Sequence, residues 1–231
     1  MKFNLKISGG LKMFGSDKIK ILVVGAHYDD ETLSAGGTIA KFIKEGHEVF
    51  VNIVTASDYT SYDGTILRDV YESEKEGING LIKLGVKEYK IKNLGFETKK
   101  VPFNSDLIES INRSIDIIKP DLVITHHPSA ESHPDHINTA KSTLAAGRRC
   151  NGIWVFEPLY PSKMTSIPFR PQKYIDISDT LSLKIQSLKE HKSQWEKYPY
   201  WEDLITSLAR VRGIEIQTKY AECFEIIKDN L

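Results

Sequence analysis

Residues 19–25 read IKILVVG, and the chain continues over 26–31 as AHYDDE. The first run is short, rich in β-branched residues and closed by a turn, which predicts a buried strand. Working outward, residues 32–45 read as a helix, closed by Gly46 where a left-handed cap is usual. A strand is expected at 48–55 (EVFVNIVT), then an amphipathic stretch at 66–84 and a shorter strand near 88–92. Over 105–119, Leu107, Ile108, Ile111, Ile115 and Ile118 fall on one helical face, and Lys119-Pro120 stops that helix. Residues 121–125 (DLVIT) are strand-like, followed by a helix from about 134, a strand at 153–156 (IWVF) and a helix from about 179. Such alternation implies parallel pairing, right-handed crossovers and helices on both faces. The expected fold is α/β, a three-layer Rossmann-like sandwich with a mostly parallel sheet. The 157–175 stretch, with Pro158, Pro161, Pro168 and Pro171, reads as an extended connection within one domain. That domain is expected to span 18–231, behind an N-terminal lead segment at 1–17.

The whole chain has 231 residues, 40% of them hydrophobic and 27% charged, which excludes disordered and fibrous classes. Lys+Arg and Asp+Glu each number 31, a balance that argues against nucleic acid or an anionic membrane surface as partner. Two cysteines, Cys150 and Cys223, make neither a disulfide framework nor a Cys-rich metal site. No run approaches a transmembrane length, and Lys2, Lys6 and Lys12 interrupt any signal-peptide core. A cytoplasmic setting is expected.

In open α/β sheets, ligands bind outside the carboxyl ends of the strands. A dinucleotide site would place a Gly-rich turn after the first strand. Here Asp29, Asp30 and Glu31 stand there instead and would repel phosphate. Helix capping alone accounts for the acids but leaves His27, at the tip of a buried strand, unexplained. After the 121–125 strand, His126, His127, His133 and His136 put four of seven histidines within eleven residues. Pro134 suits a first helical turn, so His133-Pro134-Asp135-His136 reads as a loop-to-helix junction. His126 and His127 read as ordinary packed or solvated histidines. His27, Asp30 and His136 offer two imidazoles and a carboxylate, the ligand set of a catalytic zinc site with one position left for water. Fe²⁺ or Mn²⁺ suits the same donors. Asp29 is then placed to take a proton from the attacking water, and His133 to face the oxyanion and protonate the leaving amine. Asp135 is expected to orient His133. The implied reaction is metal-assisted hydrolysis of an amide or ester, with a bell-shaped pH–rate profile.

The two motifs resemble those of the PIG-L/LmbE-like zinc-dependent de-N-acetylases. Ala26–Glu31 matches the family's Ala-His-Pro-Asp-Asp-Glu except for Tyr28 in place of proline, and His-Pro-Asp-His is intact at 133–136. Weaker similarities run through Gly36-Gly37-Thr38, Glu76, Leu84-Gly85-Val86, Lys184, His191–Gln194 and the tail from Arg212 to Phe224. The resemblance implies a Rossmann-like fold and zinc on His27, Asp30 and His136, with Asp29 as base and His133 as acid. It also implies an N-acetylglucosamine-type small-molecule substrate. Two departures concern the sugar. Ser73 stands where the family often has an arginine, making Arg68 the substitute, and Thr98 stands near a usual aspartate, making Asp58 the candidate acidic contact.

Trp195, Tyr198, Tyr200 and Trp201 form an aromatic cluster, read as core or subunit-interface packing ahead of a sugar platform, and compatible with a homo-oligomer. The leading reading is a metal-dependent deacetylase of an N-acetylated amino sugar or its conjugate. Its rivals are a metal amidase for a non-sugar amide and a non-catalytic sugar- or nucleotide-binding protein on the same fold.

Overall fold

The 19–25 run becomes β1 (Lys20–Gly25), followed by α1 (Asp30–Lys44) and β2 (Glu48–Ile53). A two-stranded hairpin, β3 (Tyr59–Thr60) and β4 (Ile66–Arg68), leads into α2 (Val70–Lys83) and β5 (Ile91–Asn93). Then come α3 (Ser105–Ile118), β6 (Leu122–Thr125), α4 (Pro134–Ala146) and β7 (Gly152–Phe156). The chain ends through β8 (Lys173–Asp176), α5 (Leu181–Leu188), α6 (Lys192–Lys197), α7 (Trp201–Glu215) and β9 (Ala221–Asp229). This computed structural model describes residues 18–56, 58–60, 63–159 and 167–231. The lead segment at 1–17 lies outside the described residues.

Seven strands form one sheet in the order β5-β2-β1-β6-β7-β9-β8. The first five are parallel, whereas β9 runs antiparallel to both β7 and β8. The fold is thus α/β with a mostly parallel sheet and helices on both faces. Alternation along β1 divides the core. Ile21 and Val23 pack with Ile39, Phe42 and Trp154 on one face, while Leu22 and Val24 pack with Leu107 and Ile111 of α3 on the other. The strand order reverses at β1, so a crevice opens outside the carboxyl ends of β1 and β6.

Local signals place most boundaries. Gly46 has φ 92° after α1, and Lys119 has φ 52° after α3, the residue before the proline. Three expectations change. The 66–84 stretch divides into β4 and α2, and the end of the 157–175 stretch forms the start of β8, while its residues 160–166 lie outside the described residues. Residues 201–215, for which no helix is expected from the sequence, form α7, so that Trp195 lies on α6 and Trp201 opens α7. No helix among the described residues is long and apolar enough to cross a membrane.

Two glycines mark close approaches. A Cβ on Gly37 would meet Ile177 at 2.8 Å, so α1 can lie against the segment entering α5. A Cβ on Gly77 would come within 2.1 Å of the Tyr28 ring. Tyr28 is fully buried against α2, so packing supplies the stiffness that proline would give this turn. Gly77→Ala should displace that ring and destabilise the protein by about 1–3 kcal/mol. Thermal unfolding should register this as a lower Tm; an unchanged Tm would show that the turn does not depend on the contact.

Candidate active site

The turn after β1 and the loop after β6 supply opposite walls of the crevice. His27 Nδ1 lies 3.3 Å from Asp30 Oδ2 and 3.2 Å from His136 Nε2, and Asp30 Oδ1 is 3.3 Å from His136 Nε2. Three donor side chains therefore face one another across more than a hundred residues of sequence. The second nitrogen of each ring is also committed. His27 Nε2 is 3.0 Å from Asp135 Oδ2, and His136 Nδ1 is 3.0 Å from Glu131 Oε2. A carboxylate behind each imidazole fixes the tautomer that leaves the inner nitrogen free as a ligand. Nitrogen and oxygen donors without thiolate, with this backing, fit a divalent metal of the zinc or ferrous kind.

Electrostatics agree with that fit. Burial alone would lower the His27 pKa, yet hydrogen bonds to Asp135 and Asp30 raise it to about 9. Burial likewise opposes charge on His136, but Asp30 and Glu131 raise its pKa to about 10. Asp30, despite its burial, is held well below the usual carboxylate range by His136 and His126. The cluster thus concentrates positive charge on its two rings when only protons are bound, and a divalent ion can take the place of two protons.

Asp29 occupies the N-cap of α1 with φ 116° and ψ −33°, and its side chain makes no cap hydrogen bond. A non-glycine residue at such φ carries roughly 1–3 kcal/mol of backbone strain, a feature that concentrates at functional sites. Capping therefore does not explain this acid. Its carboxylate borders the crevice instead, and burial, then the neighbouring Asp30, push its pKa up to about 7. Burial also pushes Glu31 up to about 8.

His133 is the N-cap of α4, and its ring sits 4.6 Å from that of His136 and 5.1 Å from that of His27. Its Nδ1 accepts the backbone N–H of Asp135 at 3.2 Å, so in the neutral ring Nε2 carries the proton. Burial, then the charges of His136 and His27, lower its pKa. Asp135 does not orient His133 as expected. Its carboxylate binds His27 and accepts the backbone N–H groups of Lys99 (2.7 Å) and Val101 (3.2 Å). The physical reason is the helix start: the first-turn N–H of Asp135 reaches His133, while its side chain turns back toward β1.

Asp58, Arg68 and Thr98 line a polar lobe of about 230 Å³ with His27 and Asp29. The Arg68 guanidinium is 4.0 Å from Glu76 Oε2, and Glu76 in turn accepts from Ser193 N (2.9 Å) and Oγ (2.6 Å). An arginine on β4 thus lines this lobe, while Ser73 is buried and does not border it. A larger lobe of about 460 Å³ opens on the other side, bordered by Asp30, His136, Phe156, Tyr198 and Trp201 among others. Trp201 is buried and stacks on Tyr198 at 5.1 Å, whereas Tyr200 is half-exposed.

Glu131, a lone acid in a loop, had no sequence signal yet borders the crevice, as does Gln194 on α6, which lies in the His191–Gln194 run similar to the family. His127 is packed, 3.3 Å from Glu225 Oε2. His126 is packed too, but at the site: its Nε2 accepts the Ala26 N–H at 3.0 Å and lies 3.3 Å from Asp30 Oδ2.

Fold and site together define a Rossmann-like α/β protein with a His–Asp–His centre at the point where its strand order reverses. The family model of the GlcNAc-PI de-N-acetylases, PIG-L, matches residues 22–147, and the chain belongs to that family. A diacetylchitobiose deacetylase of Thermococcus kodakarensis is 26% identical over 226 residues, covering 90% of this chain and 82% of the relative. The structure of N,N′-diacetylchitobiose deacetylase from Pyrococcus horikoshii superposes with a TM-score of 0.77 at 25% identity, covering 91% of this chain and 84% of that one. GalB, a 4-carboxy-2-hydroxymuconate hydratase from Pseudomonas putida, also gives a TM-score of 0.77, at 18% identity, covering 92% of this chain and 98% of its own. That last likeness is one of fold alone, so chemistry has to be argued from the site. The deacetylase relatives support hydrolysis of an N-acyl group.

Proposed function

We propose that this protein is a metal-dependent hydrolase that removes the acetyl group from an N-acetylglucosamine-type amino sugar or its conjugate. The observation that carries the reading is the His27–Asp30–His136 cluster opening onto a crevice bordered by Asp29 and His133. These three residues would hold a divalent ion, zinc first among the candidates, which when bound would supply Lewis-acid polarisation of the water and the amide carbonyl. The chain's own groups do the rest. The Asp29 carboxylate accepts a proton from the attacking water, a role suited to a base whose pKa lies near neutrality. His133 Nε2–H faces the oxygen that gains charge, and the proton that Asp29 took from the water passes to the departing nitrogen as the C–N bond breaks. Asp135 and Glu131 hold the rings of His27 and His136. Arg68 and Asp58 meet the sugar hydroxyls from the polar lobe. The two buried free cysteines suit a cytoplasmic enzyme.

Acetate release from N-acetylglucosamine and N,N′-diacetylchitobiose tests this reading. Activity should disappear after exhaustive chelation and return on adding one equivalent of Zn²⁺ or Fe²⁺. Full activity in the chelated protein would overturn it.

A further inference from the structure

An acetyl group leaves most of the larger lobe empty. Asp29, His133, Gln194 and Tyr198 border both lobes, so an amide placed between Asp29 and His133 has one lobe on each side. Besides its oxygen, the amide carbon carries two substituents, the amine and the acyl chain. The hydroxyls of an amino sugar need hydrogen-bond partners, and Asp58, Arg68, Thr98 and Lys99 supply them in the smaller lobe. The larger lobe is bordered near the metal ligands by polar side chains such as Ser34, Glu131 and Ser132, and it also has Leu33, Phe156, Pro158 and Leu159, which have no polar atom to offer a second sugar, with Trp201 beside them. Trp201 is only 3% exposed and lies at 18° to Tyr198, so its ring is not presented flat to a hexose. A methyl group takes up roughly the 30 Å³ of one water, a small part of the lobe's volume of about 460 Å³.

We propose that this enzyme hydrolyses amino sugars whose N-acyl chain is longer than acetyl, roughly four to eight carbons and so well within the about fifteen that the lobe would hold at this volume per carbon, with the chain seated against Leu33, Phe156, Pro158 and Leu159. The proposal rests on the amide-hydrolase reading of the site and keeps its reaction. Water adds oxygen to the acyl carbon, the C–N bond breaks, and a proton passes to the nitrogen, leaving a fatty carboxylate and a free amine.

The test is kcat/KM for glucosamine N-acylated with acetyl, butanoyl, hexanoyl and octanoyl groups. Each methylene that leaves water strengthens binding about threefold to fourfold, so full desolvation of only two of the four methylenes added in hexanoyl gives about tenfold. N-hexanoylglucosamine should therefore exceed N-acetylglucosamine by on the order of tenfold or more. Leu159→Trp, which fills the lobe, should lower the hexanoyl-to-acetyl ratio by about as much. A measurement on the unaltered enzyme guards against a variant that fails to fold: hexanoate should inhibit at about a tenth of the concentration that acetate requires. The proposal is overturned if acetyl is the best chain, if hexanoate inhibits no better than acetate, or if N,N′-diacetylchitobiose outruns the whole series. The last result would give the lobe to a second sugar. Hydrolysis of none of these amides would instead defeat the underlying amide-hydrolase reading, and the proposal with it.

Discussion

Asp29→Asn should lower kcat by about a hundredfold to ten-thousandfold, the range expected when a positioned base is removed. The substitution isolates chemistry from folding. Asparagine is, with aspartate, among the residues that best tolerate positive φ, so the backbone at φ 116° should persist. KM should change little, because the amide nitrogen keeps the shape and polarity of the crevice. The pH dependence gives a second readout. Only the carboxylate form can accept a proton, so activity should rise with pH as Asp29 ionises. Burial places that ionisation near pH 7 when the site holds protons alone, and a bound cation shifts it lower by favouring the charged form. The acidic limb should therefore lie at or below neutrality and vanish in Asp29→Asn, while His133→Ala should lower kcat and leave that limb in place. Retention of the acidic limb, with kcat within threefold of the unaltered enzyme, would remove Asp29 from its role.

His136→Ala should abolish tight metal binding and reduce activity to background. The ring supplies one donor of three, and its removal also strands two carboxylates, Asp30 and Glu131, that it now neutralises. Elemental analysis should find far less than one ion per chain after dialysis, against one for the unaltered protein. Added Zn²⁺ should raise the Tm of the unaltered protein by mass action but leave that of the variant unmoved. Stoichiometric metal and a zinc-dependent Tm in the variant would mean that another of the overlapping clusters, such as His27 with His133 and Asp135, holds the ion.

Short-range patterning reaches far into this molecule. The buried runs at 19–25 and 121–125 become adjacent parallel strands because their apolar residues face helices on both sides. Pro134 and Gly46 mark helix ends through backbone geometry that depends on one or two residues. The same logic misses α7 and β9. Trp201–Glu215 has a weak apolar stripe, and along β9 the buried acids Glu222 and Glu225 pair with Lys184 and the Thr38 N–H, and with His127 and the exposed Arg170. Their burial is repaid by contacts far away in sequence, which no local window contains.

The sequence by itself determined the donor types, their positions at strand ends, and the parallel α/β architecture that gathers strand ends at one edge. Those properties follow from periodicity and turn chemistry, which act within a few residues. Only the tertiary structure decided which nitrogen of each histidine faces inward, that Asp135 backs His27, that Glu131 backs His136, and that Arg68 leans on Glu76. It also decided that two lobes of unlike polarity meet at Asp29 and His133. Those choices depend on strand order and side-chain packing between segments dozens to more than a hundred residues apart, where the energy of a contact exists only once the whole sheet has formed.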